Sequence, residues 1–160
     1  MTEAFLLPDE AATEALARRA ARVVSADHAP LVLYLQGELG SGKTCFARGM
    51  LRELGEQGTV RSPTYGLMSE YATPRGRVVH IDLYRMRSPD ELRTLGLADH
   101  LHDSLLWLIE WPEKAAGAAA MPRADARLLI EVVGEGRQLR CVPATDVGYQ
   151  WLSGLCADSR

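Results

Sequence analysis

Asparagine is absent from this 160-residue chain and lysine nearly so: 16 of the 18 cationic residues are arginine, leaving Lys43 and Lys114. No stretch approaches the roughly 20 apolar residues that a membrane-crossing helix needs, which excludes such a helix. The three cysteines, Cys45, Cys141 and Cys156, are odd in number, far apart and without a CxxC pair. That spacing excludes a disulfide framework and points to reduced thiols in a cytoplasmic protein. Excess positive charge is missing too: the net charge is −3 and the pI near 5.8. A protein that grips nucleic acid by general electrostatics is therefore excluded, and any RNA contact must be local or made through a partner. The N-terminal "MTEAFLLPDE" is acidic with a short apolar patch, unlike a signal peptide. There is no internal repeat and no low-complexity tail.

What remains is an ordinary globular composition, 47% apolar and 24% charged, long enough for one domain over 1–160 with a single apolar core. Residues 9–24 predict a helix, with Asp9 and Glu10 in its first turn and an apolar stripe of Ala12, Leu16, Ala20 and Val23. "LVLYLQ" (31–36) and "LLWLIEW" (105–111) are strands buried on both faces, the second stopped by Pro112. A helix over 42–54 carries an apolar face of Ala47, Met50, Leu51 and Leu54. "LMSEYAT" and "RVVHIDLYR" flank "PRG" as a hairpin or as neighbouring strands. In "SPDELRTLG", Ser88 reads as a helix N-cap, with Pro89 in the first position and Glu91 closing a capping box. Residues 112–126, rich in Ala, Gly and Pro, read as a flexible connection or weak helix. Residues 127–144 then form a C-terminal β-hairpin around "GEG". The expected fold is α/β: a mixed, mostly parallel sheet flanked by helices, closed by that hairpin.

The segment "GELGSGKT" (37–44) fits the pattern G-x-x-x-x-G-K-[ST], placed between an apolar strand and a helix. Polyphosphate needs many donors converging in a small volume, which backbone N–H groups provide when glycines let the chain wrap tightly. The following helix aims its unpaired N-terminal donors at the same point. Gly37, Gly40 and Gly42 supply the permissive positions, Lys43 reaches the β- and γ-phosphates, and Thr44 can ligate Mg²⁺. A chain that otherwise uses arginine keeps a lysine where a compact ammonium fits between phosphates.

The missing asparagine now matters. Guanine-specific proteins of this kind commonly read their base with Asn-Lys-x-Asp, and no Asp heads a switch-like Asp-x-x-Gly. ATP is the expected nucleotide. Two acids end apolar runs, Asp82 in "VVHIDLYR" and Glu110 in "LLWLIEWP". One can bind the metal while the other orients the attacking water, and the sequence allows either assignment. "SPTY" (62–65) follows the phosphate-loop helix, where nucleotide switches often sit. Arg85, Arg87, Arg123 and Arg127 are candidates for charge stabilisation. Trp107 belongs to the core, Trp111 could wall a base pocket, and Cys45 is expected to fill core. His80, His100 and His102 lack metal-ligand spacing and read as structural.

Taken in order and spacing, "GELGSGKTCFARGML", "VRSPTYGL", "HIDLYRMRSPDELRTLGL" and "LIEWPEK" resemble the TsaE (formerly YjeE) family, over about residues 8–140. The resemblance implies a bacterial cytoplasmic Mg²⁺-dependent ATPase needed for N6-threonylcarbamoyladenosine beside the anticodon of tRNA. It also implies a protein partner, the TsaB–TsaD complex, with tRNA reached only through that complex and no membrane involved. Carried over by position, Gly40, Ser41, Gly42, Lys43 and Thr44 bind phosphates, with Thr44 also on Mg²⁺. Glu110 and Asp82 are the functional acids at the metal, Thr64 lies in the switch-like loop, and Trp111 flanks the nucleotide. Cys45 stands where the family commonly has a second threonine, and a thiol is a poorer hydrogen-bond partner than a hydroxyl. Two rivals remain at this level: a small-molecule kinase with "PRADAR" as part of a lid, and a nucleotide-dependent binding module without hydrolysis.

Overall fold

The computed structural model describes residues 1–63 and 66–158. Seven strands form one sheet: β1 (Glu3–Leu7), β2 (Leu31–Gln36), β3 (Met68–Thr73), β4 (Gly76–Asp82), β5 (Leu106–Glu110), β6 (Ala126–Val133) and β7 (Gly136–Pro143), in the spatial order β1-β7-β6-β2-β5-β4-β3. β6, β2, β5 and β4 are parallel neighbours, while β7 and β3 run against them and β1 runs with them again. Five of the seven strands thus share one direction, and the expected mixed, mostly parallel α/β sheet is observed.

β2 and β5 read as continuous apolar runs because both faces are covered. On one face lie α1 (Glu10–Arg22), α2 (Lys43–Leu54) and the C-terminal helix. They enclose Leu31, Leu33, Leu35, Leu106, Leu108 and Leu128 in the larger core cluster. On the other face Val32, Val79, Ile81, Trp107 and Ile109 are covered by short pieces. These are a 3₁₀ segment (Pro89–Leu95), the brief α3 (Leu97–His100) and a 3₁₀ turn (Pro112–Ala115). The two faces are therefore unlike, one helical and one built of turns.

Several local expectations shift. Helix α1 begins where expected, with the Asp9 carboxylate accepting the Ala12 N–H at 2.8 Å. Its buried face is Thr13, Leu16, Ala17, Ala20 and Ala21, rotated from the expected stripe, with Ala12 and Val23 only half-buried. Ser88 does cap its segment, but that segment winds as 3₁₀, and Glu91 accepts from Arg87 N–H at 3.2 Å, not from the cap residue itself. In 112–126 no α-helix forms; the segment is anchored at its end by Asp125. That carboxylate accepts the Val32 N–H at 2.8 Å and the Thr145 hydroxyl at 2.6 Å.

Two larger elements, β1 and the C-terminal helix, escaped the sequence reading, as did the short α3. β1 pairs antiparallel with β7 at the sheet edge. α4 (Asp146–Ala157) packs Trp151, Leu152 and Leu155 into the core. Two interior glycines, Gly148 and Gly154, lower the helix propensity of α4 and hide it. Its signal was Thr145, whose hydroxyl caps the Gly148 N–H at 3.1 Å.

Candidate functional site

Parallel pairing places the chemistry. β2, β5 and β4 end side by side, and the register sets Leu35 opposite Glu110 and Glu110 opposite Asp82. Because side chains alternate along a strand, Asp82 and Glu110 emerge on the sheet face that carries α2. The loop 37–42 leaves β2 at the same end and turns into α2, whose N-terminal donors face the acids.

The loop needs glycine at two points for different reasons. At Gly37 (φ 153°) a Cβ would sit 2.4 Å from the Ile130 carbonyl oxygen, so β6 leaves no room for a side chain. Gly42 is the N-cap of α2 in the left-handed region (φ 109°), with open space where a Cβ would be; there the requirement is conformational. The outer side of the loop is braced by Arg137 of β7, which donates to the carbonyls of Ser41 at 3.0 Å and Gly40 at 3.1 Å.

Lys43 is buried, and its ammonium donates to the carbonyls of Gly37 (2.6 Å) and Glu38 (2.9 Å), with Ser41 Oγ at 3.5 Å. The indole of Trp111 lies 4.2 Å away on a further side, a cation–π contact. Among the described residues no carboxylate touches the ammonium. Burial lowers the Lys43 pKa, while Glu110, Asp82, Glu113 and Glu38 act in the opposite direction. A buried cation held only by carbonyls, a hydroxyl and a ring is ready to exchange those neutral acceptors for anionic oxygens.

Next to it, the Thr44 hydroxyl donates to Glu110 Oε1 at 2.9 Å and lies 2.8 Å from Ser62 Oγ. The other oxygen, Oε2, is 2.6 Å from His80 Nε2, and both of these side chains are buried. Asp82 is half-buried and accepts the Tyr84 N–H at 3.0 Å, a turn that fixes its carboxylate at the strand end. Hydroxyl and carboxylate oxygens alone form this donor set, which suits Mg²⁺ and not a softer metal.

Trp111 has φ 58° and ψ 46°, unusual for a bulky residue, and Pro112 follows it. Holding such a residue left-handed costs on the order of 1–3 kcal/mol. The conformation swings the indole over Lys43, where Tyr84 packs against it at 5.0 Å between ring centroids. Trp111 thus stands on the Lys43 side of the loop. Cys45 lines a separate cavity of about 320 Å³, on the other side, with Gly40, Ser41, Gly42, Arg48, Glu135 and Arg137. Only half-buried, it is not the core residue expected, and its thiol pKa is raised by burial and by Glu10. Beyond the acids opens a larger cavity of about 650 Å³, with Leu39, Ser62, Pro63, Asp82, Tyr84 and Arg85 among its walls.

Arg85, exposed, lines the same cavity as Asp82, whereas Arg87, Arg123 and Arg127 are exposed elsewhere and Arg127 lies out on β6. Thr64 and Tyr65 lie outside the described residues. His80 and Arg137 are what the sequence reading missed. His80 could have been noticed from its place two residues before Asp82, on the same strand face; Arg137 gave no local signal.

A parallel sheet with a strand–GELGSGKT–helix turn at its edge of acids defines a phosphate-loop NTPase fold. Residues 7–141 match the family described as "Threonylcarbamoyl adenosine biosynthesis protein TsaE". The chain belongs to that family. The tRNA threonylcarbamoyladenosine biosynthesis protein TsaE of Haemophilus influenzae is 36% identical over 151 residues, covering 93% of this chain and 94% of that protein. Proteins of the same name from Rickettsia felis (34% identity; 84% of this chain, 76% of that one) and Bacillus subtilis (33%; 75% and 72%) are similar as well. Among solved structures, Bacillus subtilis YdiB superposes with a TM-score of 0.82 over 100% of this chain and 97% of its own, at 23% identity. That likeness speaks to the fold.

Proposed function

We propose that this protein is a Mg²⁺-dependent ATPase of tRNA threonylcarbamoyladenosine biosynthesis, acting in the cytoplasm with the TsaB–TsaD complex and meeting tRNA only through it. The observation that carries the chemical part is the contact of Thr44 Oγ1 with Glu110 Oε1 at 2.9 Å, beside a buried Lys43 that no described carboxylate touches. The place in tRNA modification rests on family membership and on the names of the relatives.

In this reading the loop N–H groups and the N-terminus of α2 receive the β- and γ-phosphates. Lys43 leaves the Gly37 and Glu38 carbonyls for phosphate oxygens. Thr44 and Glu110 would hold Mg²⁺, which would supply positive charge to offset that of the phosphates. Asp82, half-buried and open to the larger cavity, holds a water in line with the terminal phosphate and takes its proton. Arg137 keeps the loop in shape from behind. No described arginine reaches the acids by a hydrogen bond, so transition-state charge is left for a partner to neutralise. The exposed side chains of Leu39, Tyr84 and Arg85 around the larger cavity are suited to such a partner.

Phosphate release from ATP, with Mg²⁺ and with increasing TsaB–TsaD complex, tests the proposal. Slow basal release and a rise of roughly 10³ or more are expected when a partner supplies the missing cation. A fast basal rate unchanged by the complex, or a phosphorylated small molecule in place of free phosphate, would return the kinase reading.

A further inference from the structure

The nucleotide reading gives His80 no task, yet its surroundings are specific. It sits on β4 between Ser69 of β3 and Leu108 of β5, one pleat behind the Asp82–Glu110 pair and on the same sheet face. Its exposure is 0% and that of Glu110 is 2%, so neither can lean on water for a missing hydrogen bond. Glu110 has two oxygens to satisfy. Oε1 takes the Thr44 hydroxyl at 2.9 Å, and Oε2 takes His80 Nε2 at 2.6 Å. His80 Nδ1 has no partner among the described residues. A proton on Nδ1 would therefore be a buried donor without an acceptor, and the Nε2 lone pair would face a carboxylate oxygen. The proton belongs on Nε2, donated to Oε2.

We propose that His80 is a positioning residue for the metal site: its Nε2–H anchors Glu110 Oε2, so that Oε1 stays turned toward Thr44 and the cation they would share. The terminal torsion of a glutamate is soft and roughly two-fold, and without an anchor the carboxylate can turn its oxygens away from the loop. A purely space-filling residue at this point of β4 would need no ring nitrogen, and its strand neighbours Val78, Val79 and Ile81 are all apolar. Outer partners of metal ligands typically change metal affinity about 10–100-fold when removed.

The inference rests on the nucleotide reading, and calorimetric ATP titrations across a range of Mg²⁺ concentrations separate the two. Wild-type protein should bind ATP more tightly as Mg²⁺ rises. In His80→Leu, ATP affinity in EDTA should stay near wild type, while the Mg²⁺ needed for half the enhancement rises by about 10–100-fold. His80→Gln, whose amide N–H can reach toward Oε2, should recover most of the loss. A His80→Leu protein that melts cooperatively and keeps the wild-type Mg²⁺ requirement overturns the proposal. The histidine-ring ¹⁵N spectrum of the unmutated protein gives a second reading that needs no variant. An Nε2–H tautomer at His80 is expected, and an Nδ1–H tautomer overturns the proposal even if His80→Leu does not fold. Wild-type ATP binding that ignores Mg²⁺ would sink the metal reading instead, leaving the tautomer to decide the His80–Glu110 bond.

Discussion

Replacing Glu110 by glutamine keeps the side-chain volume and removes one buried charge, so its effects on folding and on metal binding can be told apart. The amide can turn its oxygen to His80 and its NH₂ to Thr44, whose hydroxyl can then donate to Ser62 Oγ, 2.8 Å away. Two charge-assisted bonds become neutral ones, a loss of roughly 1 kcal/mol each. Against that, burying a carboxylate costs several kcal/mol that the amide does not incur. The two changes oppose each other, and stability should stay within about 2 kcal/mol of wild type, a few degrees in Tm at this size. Metal binding has no such offset. Removing one partner of a buried charge pair costs roughly 3–5 kcal/mol, which at about 1.4 kcal/mol per decade is 10² or more in Mg-ATP affinity. ATP binding in EDTA should be unchanged or tighter, because the carboxylate no longer faces polyphosphate. Calorimetric titrations with Mg²⁺ and with EDTA, alongside thermal melts, measure all three quantities. Equal losses in the two titrations would refute the reasoning. Asp82→Asn is the counterpart: affinity spared and hydrolysis lowered by about 10² or more. If the two variants exchange phenotypes, the roles of the acids must be exchanged too.

Lys43→Ala and Lys43→Arg should both lose tight ATP binding while retaining the fold, because the site between Gly37 O, Glu38 O, Ser41 Oγ and the Trp111 ring fits an ammonium and not a planar fork; wild-type affinity for either in calorimetry contradicts this. Gly148→Ala would put a Cβ 1.8 Å from the Asp125 carbonyl oxygen, so α4 must shift at a cost of about 1–3 kcal/mol. An unchanged urea midpoint would count against that packing. Burial pushes the Cys141 thiol from 9.0 up to about 12. Its folded pKa is raised, so its contribution is intact below pH 9 and lost as pH climbs toward 12, where the unfolded thiol ionises first. Cys141→Ala should flatten that alkaline loss in melts taken across the window, and native Cys141 should resist thiol reagents near neutrality. A steep alkaline loss that persists in Cys141→Ala, or rapid native labelling of Cys141, would contradict this.

The phosphate loop, the strand before it and the helix after it were legible in the sequence because they are local. "GELGSGKT" lies on one turn of chain, and apolar periodicity declares the flanking elements within a few residues. The β3–β4 and β6–β7 hairpins were legible for the same reason, each being two adjacent strands around a glycine turn. Asp82 and Glu110 could be nominated separately as the acidic ends of two apolar strands. Their adjacency could not be read, because it depends on β4 pairing with β5 across 23 intervening residues in which no strand is formed. His80 looked structural because its partner lies 30 positions away, and only the parallel register sets its imidazole behind Glu110. The bracing by Arg137 spans 96 positions to Ser41 and depends on β7 lying next to β6. The left-handed Trp111, whose indole covers Lys43, also awaited the fold, since the packing that holds so unfavourable a backbone comes from β2 and Tyr84. Local pattern fixed which chemistry this chain carries. Strand pairing decided which of its side chains act together, because a hydrogen bond depends on distance in space and not on spacing along the chain.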